Sequence, residues 1–243
     1  MGNSSESGSL AGEAYSVVRQ RIIRGEFTIG QVISRRKLAQ ELGMSFLPVS
    51  EALLRLEFEG LLESRPRAGT RVRIPARQDV RGHYVVREAL EVQSARLFAE
   101  MATPQERSEL MKLAARVDGM LMQPEGNRLA YLTLHEKLHR RIAECARCNH
   151  LSEAIEKTHA LASTWLCVAR PTPDEPPRTH QDLAAILCAG DPAAAAEAMR
   201  QHITRSMQHA MHRLEPYFRL RRKQGRTYTR SPRKLATNAA SVN

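Results

Sequence analysis

Aromatic side chains are scarce. They make up 5% of the 243 residues, and tryptophan occurs once, as Trp165. That shortage excludes the stacking platforms on which single-stranded nucleic acid is threaded. Cysteine occurs four times, at Cys145, Cys148, Cys167 and Cys188. Four are too few for a disulfide scaffold of this length. No run of about 18 apolar residues is present, so no segment reads as a transmembrane helix. The opening stretch MGNSSESGSLAGE lacks an apolar signal core, and Glu6 breaks the lipidation pattern. These absences together predict a cytoplasmic, soluble protein with no membrane partner.

What is present is apolar bulk and positive charge. Hydrophobic residues reach 42%, which is enough for real cores, and the length fits one large domain or two ordinary ones. The formal net charge is +11, unevenly spread: residues 215–243 hold eight Lys/Arg against the single acid Glu215. A basic tail of this kind suits a polyanion such as nucleic acid. It also suits a disordered solubilising segment.

Periodicity and turn residues divide the chain into four parts. Residues 1–13 are rich in Gly and Ser and are expected to be disordered. YSVVRQRIIRGEF places Val17, Val18, Ile22 and Ile23 on one helix face. SRRKLAQELG runs from a Ser34 cap to a Gly43 stop. SFLPVSEALLRLEFEG follows, with Ser45 as N-cap, Pro48 in the first turn and an apolar stripe of Val49, Leu53, Leu56 and Phe58. Two short helices separated by GMS fit a helix-turn-helix. The runs LLESRP and TRVRIP around RAG fit a β-wing. Residues 14–75 are thus expected to form a winged helix-turn-helix that offers residues 46–60 to the major groove. Residues 76–214 lack strand-type alternation and read as six or seven amphipathic helices broken at Pro104, QPEGN, RCN, RPTPDEPP and AGDP. Residues 215–243 lack a core-forming stripe and are expected to be a disordered basic tail. The fold class is mainly α, a winged helix-turn-helix followed by an all-α bundle.

One motif points elsewhere. His135-Glu136-Lys137-Leu138-His139 is a literal H-E-x-x-H, the zinc-protease pattern in which two histidines bind the ion and the glutamate is the base. The extended form fails, because Ile142 and Cys145 occupy its Gly and His positions. Cys145 and Cys148 form a C-x-x-C with no second ligand pair at finger spacing, which leaves free thiols as the default. No catalytic residue is assigned.

The stretch RIIRGEFTIGQVISRRKLAQELGMSFLPVSEALLRLEFEGLLESRPRAGTRV resembles the DNA-binding domain of GntR-family transcriptional regulators. YVVREALEVQSARLFAE resembles the first helix of the FCD ligand-binding domain, so the likeness spans roughly residues 14–214. It implies a homodimeric regulator, most simply a repressor, that binds a pseudo-palindromic operator. Arg36, Ser45, Phe46, Leu47, Ser50, Arg67 and Gly69 fall where the family meets DNA. Here the chain departs from the family's S-R-T-P-V-R-E. Phe46 and Ser50 replace arginines that would fork onto guanine, so the usual operator preference does not carry over.

The resemblance also implies a metal site. FCD domains commonly use D-x-x-x-H plus two later histidines. His139, His180 and His202 match those histidines, and His135 stands in place of the aspartate. An all-imidazole set suits zinc or nickel better than copper. Replacing a carboxylate by imidazole leaves the ion its full charge, which favours a small carboxylate effector. Arg87 matches an arginine of the first FCD helix and is expected to pair with that carboxylate, or else with Glu88 or Glu91. A metal-sensing regulator, with the ion itself as signal, is the alternative within the same fold.

Overall fold

The computed structural model describes residues 9–65, 69–121, 128–168 and 179–228. The first helix, α1 (Leu10–Ile23), starts earlier than composition suggests. Ser9 Oγ accepts the Gly12 N–H at 3.0 Å, and Ala14 and Val18 are fully buried. The Gly/Ser run therefore ends in a helix cap rather than extending as a disordered arm to residue 13.

A two-residue strand, β1 (Val32–Ile33), precedes α2 (Arg35–Leu42) and α3 (Phe46–Phe58). Ser34 caps α2, and Gly43 closes it at φ 64°, a left-handed position that glycine fills without strain. The hairpin β2 (Leu62–Arg65) and β3 (Gly69–Val72) completes a small antiparallel sheet in the order β1-β3-β2. Two residues gave β1 no pattern to read, and it is defined by pairing Val32 with Arg71 and Ile33 with Thr70. The core beneath is built from Val18, Ile22, Leu38, Val49, Leu53 and Leu56. Phe58 does not belong to it. It is 93% exposed, and Ala52 takes its place on the buried arc. Residue 58 lies five residues from Leu53, half a turn off its face, whereas 49, 52, 53 and 56 share one.

Beyond Pro75 follow α4 (Arg77–Met101), α5 (Pro104–Leu121), α6 (Arg128–Cys145), α7 (Asn149–Val168), α8 (Thr179–Cys188) and α9 (Pro192–Arg213). Thr103 and Glu106 form a reciprocal capping box at the start of α5: Glu106 N–H donates to Thr103 Oγ1 at 3.3 Å, and Thr103 N–H to Glu106 Oε2 at 2.9 Å. Asp191 caps α9 through two backbone N–H groups. Arg107 closes two helix ends at once, donating to Ala99 and Ala102 oxygens of α4 and to Leu187 and Cys188 oxygens of α8. The long pair α4 and α9 runs through the middle, with Phe98, Leu110, Leu138, Leu187 and Ile203 around it.

A tenth helix, α10 (Glu215–Tyr228), occupies the start of the expected disordered tail. Leu214 and Phe218 are buried in the bundle core, and Arg77 lies over the Phe218 ring with its Cζ 5.1 Å from the centroid. One aromatic anchor is enough to dock a segment that its arginines make look like linker. Arg221 donates to the Ile74 carbonyl and Arg77 pairs with Glu215, so α10 grips the junction between the two cores. A second junction joins α1 to α6, where Ile23 packs on Tyr131 and Leu132.

Candidate functional site

Histidines 135 and 139 lie one turn apart on α6, His180 opens α8, and His202 lies in the middle of α9. The three helices converge, and all four rings are buried: His135 is 7% exposed, His139 1%, His180 4% and His202 5%. One ligand nitrogen from each lies within 4.8 Å of every other. The Nε2 atoms of His135 and His139 are 3.3 Å apart. That separation matches two nitrogens on one tetrahedral ion at about 2.0–2.1 Å each.

Two carboxylates outside the cluster aim the rings. His139 Nδ1 contacts Glu91 Oε2 at 2.5 Å, and His180 Nδ1 contacts Asp118 Oδ1 at 2.6 Å. At His180 the carboxylate holds Nδ1 as the donor, which leaves Nε2 its lone pair. His180 Nε2 is buried and has no hydrogen-bond partner among the described residues. Carboxylate–histidine pairs of this kind fix tautomer and orientation in metal sites. Asp118 is secured in turn by the backbone N–H groups of His180 at 3.2 Å and Gln181 at 2.9 Å. Burial pushes its carboxyl up, but these hydrogen bonds and the His180 ring outweigh burial and hold it below the usual range. Burial and the neighbouring His180 and His139 push His202 well down, so it is a neutral imidazole, the form that ligates. The donor set therefore fits a divalent ion of borderline softness.

Arg87 lies on α4 one turn from Glu91 and is fully buried. Its Nε donates to Glu91 Oε1 at 2.7 Å, and its guanidinium lies over the Tyr84 ring. Its Nη1 and Nη2 have no hydrogen-bond partner among the described residues. Burial lowers its pKa, but Glu91 and Tyr84 together outweigh burial and raise it, so it stays charged. Glu136, the would-be protease base, is partly exposed and faces Arg19 of α1 at 3.9 Å.

Sequence reasoning passed over Glu91 as a histidine partner and Asp118 altogether. A signal was available: Asp118 stands four residues after Ala114 and one after Val117, an acid beside the buried stripe of α5. Of the cysteines, Cys145 is a buried thiol pushed up to about 11 by burial, and Cys148 is exposed, so the C-x-x-C holds nothing together.

At the other end of the molecule, Phe46 (57% exposed) and Leu47 (67%) project from the first turn of α3. Ser45 sits at the N-cap position without a side-chain bond to the helix. Ser50 differs from the expected picture: its Oγ is occluded from solvent, turned away from the surface its neighbours present. Arg36 is exposed on α2, and Gly69 begins β3 at φ 76°. Arg67 lies outside the described residues.

Comparison with known proteins agrees with both halves. The family model "Bacterial regulatory proteins, gntR family" matches residues 10–72, and the model "FCD domain" matches residues 83–205. The "Probable D-xylose utilization operon transcriptional repressor" of Paenarthrobacter nicotinovorans is 28% identical over 202 residues, covering 80% of this chain and 86% of that protein. The "HTH-type transcriptional repressor RspR" of Escherichia coli K12 is 26% identical over 195 residues, covering 79% of this chain and 84% of that one. Among solved structures, Escherichia coli McbR/YncC superposes with a TM-score of 0.66 at 21% identity, covering 83% of this chain and 97% of that chain. These matches set aside the zinc-protease reading of H-E-x-x-H, and the chain is a DNA-binding transcriptional regulator that belongs to the GntR family and carries an FCD domain.

Proposed function

We propose that the chain is a cytoplasmic, homodimeric repressor whose operator affinity is set by a small carboxylate bound at a metal in the FCD domain. The observation that carries this reading is the convergence of four buried imidazoles from three helices, two of them aimed by carboxylates. His135, His139, His180 and His202 hold zinc or nickel. Arg87, Glu91 and Asp118 leave this buried region one net negative charge, and a divalent ion turns that into one positive. A monoanionic carboxylate cancels it, and the two unpartnered Nη groups of Arg87 supply a fork for its oxygens.

The fold offers a route from that site to DNA. Helix α6 carries His135 and His139, and on the same helix Tyr131 and Leu132 pack against Ile23 of α1. A ligand that favours one setting of α6 thereby favours one arrangement of the DNA-binding domain. Dimerisation follows the two-fold symmetry of a pseudo-palindromic operator.

Metal analysis of the purified protein, followed by a thermal-shift screen of organic acids with and without chelator, tests the proposal. A carboxylate that raises Tm only in the metal-loaded protein supports it. Full metal content in His139→Ala and His180→Ala refutes the ligand assignment. The near-complete burial of the four rings favours one competing reading, a sensor for which the ion itself is the signal. That reading requires operator affinity to follow free metal with no carboxylate present.

A further inference from the structure

The face that α3 offers to DNA is apolar. In a helix-turn-helix the second helix enters the major groove by its N-terminal turns, and those side chains meet base edges. Here the side chains exposed there are Phe46 and Leu47, with Ser45 before them and Glu51 one turn on. The helix holds a single cation, Arg55, which is engaged elsewhere: its guanidinium lies 4.2 Å over the Tyr15 ring and its Nε is 3.3 Å from Glu59. Ser50 keeps its hydroxyl oxygen occluded. No fork donor is left on α3 for guanine O6 and N7. Positive charge is exposed on α2 instead, on Arg36 and on Lys37, the latter 3.9 Å from Glu41, suited to phosphates, which position but do not specify.

Large apolar side chains exposed to water are costly unless something covers them. In the major groove one apolar group is displayed, the C5-methyl of thymine. We infer that Phe46 and Leu47 read thymine methyl groups, so that this regulator selects operator half-sites by T-rich steps under α3 rather than by guanine contacts. The exposed cations of α2 suit phosphates, and that charge complementarity points to duplex DNA as the occupant of the apolar face.

Selection of the full-length protein against a random duplex library, followed by thymine-to-deoxyuridine scanning of the selected site, tests the inference. Deoxyuridine lacks only the methyl. About a fourfold loss of affinity is expected at each contacted thymine, the worth of one buried methyl-sized group. In Phe46→Ala the deoxyuridine penalty at its thymine should vanish while Tm stays that of the parent, since the ring is exposed. Phe46→Arg should move the selected motif towards guanine. A selected motif with guanine or cytosine under α3, a flat deoxyuridine scan, or no enriched motif at all overturns the inference. A Phe46→Ala protein that keeps the full deoxyuridine penalty removes Phe46 from it.

Discussion

The FCD core and helix α3 invert the usual arrangement of polar and apolar groups. The centre of the helical domain buries four imidazoles, Arg87, Glu91 and Asp118. The surface of α3, proposed above to face a polyanion, exposes Phe46, Leu47, Leu54 and Phe58. Each departure is costly by itself. Buried polar groups cost several kcal/mol when unpaired, and exposed rings forfeit their burial. The difference is in how each is supported. In the buried cluster Asp118 is held by three hydrogen bonds and Glu91 by one from Arg87, whereas Phe46, Leu47, Leu54 and Phe58 stay open to solvent. On the reading proposed above, the first is organised around a ligand inside the fold and the second around one outside it.

The largest effect on ligand binding should come from breaking the buried side. Asp118→Ala removes the partner of His180 Nδ1 and of two backbone N–H groups at once. Loss of a carboxylate behind a metal-bound histidine costs about 10–100-fold in affinity. Competition with a chromophoric chelator should read that drop, and Asp118→Asn should recover part of it by keeping an acceptor. Unchanged affinity in both variants would mean that the carboxylate does not orient His180 for a metal.

The next test sharpens the contrast along a single helix. Leu53 is fully buried and Phe58 is 93% exposed, five residues apart on α3. Leu53→Ala should destabilise by about 2–5 kcal/mol, the transfer term plus the cavity it leaves. Phe58→Ala should stay within about 0.5 kcal/mol. Urea denaturation of the two variants decides it. A large loss for Phe58→Ala would place a partner on that ring.

Much of this was readable from the chain, and the failures have physical causes. The helix-turn-helix followed from Ser34, Gly43, Ser45 and a 3.6-residue stripe, all local signals. The four histidines needed the family's spacing, because no periodicity connects His139 to His180. Phe58 was misplaced because a hydrophobic side chain was counted without its angle around the helix. Helix α10 was missed because eight arginines and lysines from Arg219 onward outweighed Phe218 in composition, although one buried ring decides the docking. Glu91 and Asp118 were passed over because a charged residue on an apolar stripe reads as noise until its partner is in place.

Glu106 lies between the two extremes, an acid at the rim of the bundle held mostly by neutral donors. Backbone and side-chain hydrogen bonds from Thr103, with Arg147 beside them, outweigh burial and lower its pKa to about 2 from 4.5. A carboxyl depressed in the folded state adds stability that is fully present above about pH 4.5. That stability is lost as pH falls towards 2. Glu106→Gln should therefore be less stable than the parent at pH 7 and nearly equal to it near pH 2. Thermal melts across that range check the sign. A gap that widens on acidification would contradict the capping-box account.

The smallest effect concerns the basic end of the chain, and α10 changes how it has to be tested. Truncation from residue 217 would remove Phe218 from the core and confuse folding with binding. Removing residues 229–243 keeps α10 whole and still deletes Arg230, Arg233 and Lys234. If these bind phosphates, the slope of log affinity against log salt should flatten by about 0.9 for each phosphate no longer neutralised. The preference for one selected site over random duplex should not change, because phosphate binding carries no sequence information. An unchanged slope would assign the DNA electrostatics to the winged domain alone. A changed site preference would mean that the tail reaches bases and shares the reading with Phe46 and Leu47.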